Sequence, residues 1–86
     1  MTTVDIRLTN SLASSLTIFL EPWAEEIVLD IGDSILVKQE AVDDGRIELD
    51  VVDEGYVLHG NMFTKLRIYR RDELIWESYE APVDGG

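Results

Sequence analysis

The chain has no cysteine, one histidine (His59) and two prolines in 86 residues. Without thiols there is no disulfide framework and no thiolate to act as nucleophile or metal ligand, so stability must come from packing. A single imidazole without cysteine can assemble neither a zinc cluster nor a Cys–His pair, and His59 is expected to be a strand residue with a satisfied ring. No Gly-rich phosphate loop occurs. No apolar run approaches the ~20 residues that cross a bilayer. The opening Met1-Thr2-Thr3-Val4-Asp5 lacks the basic stretch followed by an apolar one that marks a signal peptide. The expectation is a cytoplasmic, non-enzymatic chain with no catalytic residue, no metal site and no cofactor.

Basic charge is scarce too. Seven Lys and Arg stand against 18 Asp and Glu, a net charge of −11 at pH 7. Such a surface repels phosphate, which argues against nucleic acid and anionic membranes as partners. The same field favours encounter with a basic protein. The 45% hydrophobic content is nevertheless that of a globular chain. At this length, area scaling lets about 60% of the extended surface be buried, enough for one modest core with little room for an enclosed ligand cavity. A single domain over residues 1–86 is expected, with a β core from about 4 to 79 and a flexible C-terminal tail over 80–86.

What the chain has in quantity is short β-rich segments separated by turn signals. Val4, Ile6 and Leu8 alternate with Asp5, Arg7 and Thr9, the pattern of a half-buried strand. Leu16-Thr17-Ile18-Phe19-Leu20 is β-branched and nearly continuous, as in a central strand. Strands are also predicted around Ile27–Leu29, from Ile35 to Val42, around Ile47–Val51, at Tyr56–His59, at Leu66–Tyr69 and at Leu74–Trp76. The turns between them fall at Asp30-Ile31-Gly32-Asp33, Asp43-Asp44-Gly45, Asp53-Glu54-Gly55 and Arg71-Asp72-Glu73. A strand about every ten residues with short connections predicts an all-β, antiparallel sandwich or barrel of about seven strands, paired as a meander. Ile18 or Phe19, Ile35, Val37, Leu49, Leu66, Ile68 and Trp76 are the expected core.

Residues 11–21 leave a second possibility open. Leu12, Leu16, Phe19, Leu20 and Trp23 fall at helical spacing, and Asn10 or Ser11 could cap a helix that Pro22 would end. This bears on Gly85-Gly86, because ubiquitin-like and sulfur-carrier proteins of similar length also end in Gly-Gly and need a helix packed on their sheet. A frayed tail is the alternative for those glycines.

The charges are clustered. Residues 1–64 hold 13 of the 18 acids, whereas Lys65, Arg67, Arg70 and Arg71 fall within one seven-residue window. Those four either lie beside acidic neighbours such as Glu48 and Asp50, at roughly 0.2–1 kcal/mol per cross-strand pair, or form a docking stripe for an acidic partner. Asp43, Asp44, Asp50, Asp53 and Glu54 are dense, but lack the spacing of a calcium loop and are expected to be solvated turn acids.

The most distinctive string is Glu21-Pro22-Trp23-Ala24-Glu25-Glu26. Proline fixes the backbone after a strand, Trp23 is large enough to cap an edge of the core, and Glu21, Glu25 and Glu26 flank it as a partner-binding candidate. With the downstream Leu29-Asp30-Ile31-Gly32-Asp33-Ser34, this segment resembles a group of small bacterial β-rich proteins that carry Glu-Pro-Trp-x-x-Glu followed by a Gly-containing turn. That group often has proline before the glycine, where this chain has Ile31. The resemblance covers roughly residues 16–40, implies a strand over 16–20 and carries no functional residue. Function is therefore expected to be protein interaction by a small acidic domain, with a basic partner. The alternatives are a small-ligand or carbohydrate binder stacking its ligand on Trp23, Trp76 and the tyrosines, and a Gly-Gly-tailed carrier.

Overall fold

Alternation puts Val4, Ile6 and Leu8 on one side of β1 (Thr2–Thr9) and the exposed Asp5, Arg7 and Thr9 on the other. Similar alternation builds β2 (Leu16–Glu21), β3 (Glu25–Leu29), β4 (Ser34–Ala41) and β5 (Glu48–Val52). Three more strands follow: β6 (Gly55–His59), β7 (Thr64–Arg70) and β8 (Glu73–Glu77). The computed structural model describes residues 2–41, 47–53, 55–60 and 64–78. No helix occurs among the described residues, so none there is long and apolar enough to cross a membrane. Residues 11–15 are irregular and β2 starts at Leu16, which settles that stretch against a helix. The Asp43-Asp44-Gly45 turn, Glu54, the 80–86 tail and Gly85-Gly86 lie outside the described residues.

The eight strands among the described residues fall on the eight β-rich segments of the sequence and form two open four-stranded sheets ordered β1-β4-β7-β8 and β3-β2-β6-β5. Neither sheet closes into a barrel, and the pairing is not antiparallel throughout: β2 and β6 run parallel, with Thr17 opposite Gly55 and Glu21 opposite His59. The chain is not a meander either. Hairpins β2–β3, β5–β6 and β7–β8 are local, but β1–β4, β4–β7 and β2–β6 join distant segments. In the second sheet the more buried strand of each hairpin lies at the centre, β2 from one and β6 from the other. Those two strands point the same way, hence the parallel pair.

The core draws on both sheets: Leu16, Ile18, Leu20, Ile27, Leu29 and Leu58 from one, Ile35, Val37, Leu66 and Ile68 from the other. Burying each such side chain contributes roughly 1.5–3 kcal/mol. Leu49 and Trp76 are half-buried against this cluster rather than inside it. Ile18, not Phe19, is the core member of its pair: Ile18 is fully buried and Phe19 half-buried on the alternate side of β2. In β8 a bulge opposite Ile68 and Tyr69 breaks the alternation, so Trp76 pairs with Ile68 while Leu74 pairs with Tyr69 and is exposed.

Asn10 links the β1–β2 connection to the β3–β4 turn and is fully buried. Its Nδ2 donates to the carbonyls of Ser14 (2.9 Å), Leu29 (3.0 Å) and Asp30 (3.2 Å), while its Oδ1 accepts the Leu12 amide at 2.9 Å. The Asn10 amide donates to Asp33 O, and Gly32 N donates back to Asn10 O. Because Asn10→Ala strands several of these groups at once, it should cost about 2 kcal/mol, read as a lower urea midpoint with unchanged slope. An unmoved midpoint would show that solvent replaces the side chain.

Three of the four cations in the basic window are satisfied differently from the sequence expectation. Glu48 and Asp50 belong to the other sheet. Arg67 instead pairs with Glu40 on β4 (2.8 Å) and Glu77 on β8 (3.5 Å), and Lys65 pairs with Glu77 at 3.5 Å and donates to Ser78 O. Arg70 reaches across to the second sheet, donating to Val28 O at 2.9 Å and pairing with Asp33 at 3.2 Å.

Candidate functional site

Glu21-Pro22-Trp23-Ala24-Glu25 forms the β2–β3 turn, with a cis Glu21–Pro22 peptide and Ala24 at φ 57°. Within it Trp23 is half-buried and folds toward the core rim. Its ring lies edge-on to Trp76 of the opposite sheet, with centroids 5.4 Å apart and planes at 65°. The far edge of the indole occupies the space over Gly60, where an added Cβ would sit 2.2 Å from it. Trp23 thus bridges the two sheets at one end, and edge-to-face packing on Trp76 uses the rings on each other rather than offering two coplanar platforms.

The flanking acids separate. Glu25 pairs with Leu20 in the inward row of β3 and is half-buried, whereas Glu21 and Glu26 are exposed on the opposite side of the sheet. The four residues singled out in the sequence therefore do not make one surface. Trp23 and Glu25 face the core rim, and Glu21 and Glu26 face outward.

That outward side is the more informative place. The registers align Val28, Thr17, Gly55 and Val52 in one row across the sheet, Glu26, Phe19, Val57 and Asp50 in the next, and Glu21, His59 and Glu48 in a third. Val28 is 51% and Val52 41% exposed, and Phe19 and Val57 are half-buried beside them. Four apolar side chains thus share a face with Glu21, Glu26, Glu48 and Asp50. His59 Nε2 and Asp50 Oδ2 lie 2.8 Å apart on this face, which gives the single imidazole its partner. Gly55 leaves a gap in the first row, since its backbone approaches Thr17 too closely to admit a side chain. Phe19, Val28, Val52 and Val57 were missed in the sequence because strand alternation alone does not say which side meets the other sheet. The signal that could have found them is Phe19 out of phase with Ile18 and Leu20.

No group of three or more His, Cys, Asp or Glu side chains converges as a metal site among the described residues. Comparison with known proteins found no matching family model, no matching curated protein and no matching solved structure.

Proposed function

We propose that this domain is a two-sheet β-sandwich that acts as a non-catalytic protein-interaction module, presenting the outer face of the β3-β2-β6-β5 sheet to a basic protein. The observation that carries this is the placement of Phe19, Val28, Val52 and Val57 among Glu21, Glu26, Glu48 and Asp50. An apolar centre supplies area that gains by leaving water, and a charged rim selects partner and orientation. The net charge of −11 adds long-range steering toward a cation, an effect on association rate that salt screens.

The test uses Val28→Lys with Glu26→Lys, two exposed positions whose change leaves the core intact. A protein captured by the wild type is purified and titrated back against both forms. The expected result is a basic partner whose association slows with added salt and whose affinity falls at least about tenfold with the double variant. Equal affinity for the two forms would place the contact elsewhere and overturn the proposal.

A further inference from the structure

The opposite sheet carries a different surface. Among the described residues there are six cations, and three of them, Lys65, Arg67 and Arg70, are held in ion pairs. The other three, Arg7, Lys38 and Arg71, have no ion-pair partner among the described residues, and all three line one open groove of about 460 Å³ on the outer face of β1-β4-β7-β8. In a chain so dominated by carboxylates, unpaired cations gathered at one place stand out.

The sheet register builds this groove. Arg7, Leu36 and Tyr69 form one row across β1, β4 and β7, with Lys38 two residues along β4. Neighbouring strands lie about 4.8 Å apart, so Arg7 and Tyr69 flank Leu36 from either side. The Lys38 ammonium sits 5.7 Å from the centre of the Tyr69 ring. Ser34 adds a hydroxyl, and the β7–β8 turn contributes Arg71 and Asp72. Both turn residues have left-handed backbones, at φ 52° and 66°. Glycine or asparagine is the usual occupant of such a two-residue turn, and a side chain as long as arginine is disfavoured there. The chain keeps an arginine at the mouth of the groove despite that cost.

We propose that this groove binds a small phosphate monoester as the free molecule. Arg7, Lys38 and Arg71 against Asp72 leave a net charge of +2 among the lining side chains, which a phosphate dianion balances. Asp5 faces Lys38 across the β1–β4 register without pairing to it, so the groove is less positive toward that side. Arginines approaching from two different elements suit the three oxygens of a phosphate better than the single plane of a carboxylate. Leu36 and Tyr69 give the organic body an apolar wall, while Ser34 and Asp72 can take hydroxyl groups on it. The volume is of the order of small-ligand clefts, which run from about 300 to 1,000 Å³. A larger polyanion or an anionic bilayer would bring the rest of the acidic surface against it, which limits the ligand to one small enough to lie within the groove.

The experiment titrates the full chain with phenyl phosphate and with inorganic phosphate at constant ionic strength, following backbone and side-chain resonances. Saturable shifts confined to Arg7, Leu36, Lys38, Tyr69 and Arg71 are expected, with phenyl phosphate the tighter of the two. Arg7→Ala should weaken phenyl phosphate at least about tenfold. Arg71→Asn should weaken it similarly while raising the melting temperature by about 4 °C, because asparagine tolerates the turn. That opposite movement separates a binding role from a structural one. Shifts that chloride or sulfate reproduce at equal concentration would mean an adventitious ion only. Unchanged affinity in both variants, or cosedimentation with phosphatidic acid vesicles through the same residues, would likewise overturn the proposal.

Discussion

Trp23→Ala is expected to cost about 3 kcal/mol, toward the lower end for a large aromatic because the ring is only half-buried. The loss has two parts. One is the apolar area the indole removes from water at the rim. The other is the edge-to-face contact with Trp76, worth roughly 0.5–1.5 kcal/mol beyond that area. For a chain of this size total stability is of the order of 5–10 kcal/mol, so the variant should melt many degrees lower. Trp23→Phe should recover much of the difference. A Trp23→Ala protein with an unchanged denaturation midpoint would mean that the ring stabilises nothing and is available to a partner, as hot-spot tryptophans are. Gly60→Ala gives an independent check, since a methyl group there meets the same indole edge. It should perturb Trp23 fluorescence without altering any charge.

Gly55→Ala should be more damaging, at about 3–4 kcal/mol. A Cβ at this position would lie 1.9 Å from Thr17 O and 2.9 Å from Thr17 C, both backbone atoms with no freedom to rotate away. The residue also has φ 153°, which side-chain-bearing residues rarely adopt. The only relief is for β6 to retreat from β2, and that parallel pair joins the β5–β6 hairpin to the rest of the sheet. Gly32→Ala is the control: φ is 79° but nothing lies within 4 Å, so it pays only the left-handed backbone cost of about 1–2 kcal/mol. Equal effects of the two substitutions, read from urea midpoints, would show that close approach at Gly55 does not matter.

Strand positions were legible in the sequence because period-2 alternation and turn residues are local signals. Ile35, Val37, Leu66 and Ile68 could be placed in the core from that pattern alone, whereas Ile18 and Phe19 stayed alternatives until the second sheet showed which side of β2 it covers. Pairing could not. Whether β5 lies beside β6 alone or also beside β7 depends on which sheet each hairpin joins, and nothing within residues 47–70 encodes that choice. The ion pairs of Arg67 were misassigned for the same reason: its partners, Glu40 and Glu77, are neighbours only once β4 and β8 flank β7. The bulge in β8, which leaves Leu74 exposed while Trp76 stays against the core, is a one-residue irregularity without a sequence mark of its own. At the candidate site, the Trp23 string was conspicuous because it combines a proline, a tryptophan and three acids. Its division between the core rim and the outer face follows from Trp23 meeting Trp76, some fifty residues away in the chain.

The pairing pattern also sets an order in time. The β2–β3, β5–β6 and β7–β8 hairpins each close a short loop, so each can form within about 1–10 μs. None is stable alone, since an isolated two-stranded hairpin in water is marginal at best. Stability waits for the three long-range pairs β1–β4, β4–β7 and β2–β6. Two of those three use β4. This strand is bordered on each side by a segment distant in the chain, so the first sheet cannot assemble until β4 has found both. Folding should therefore proceed in milliseconds to seconds, as for other small domains dominated by non-local strand pairs. Substitutions at Ile35 and Val37 on β4 should slow folding more than those at the hairpin tips, which act chiefly on unfolding. The strand that carries Leu36 and Lys38 into the groove is thus also the one on which the search for the native pairing turns.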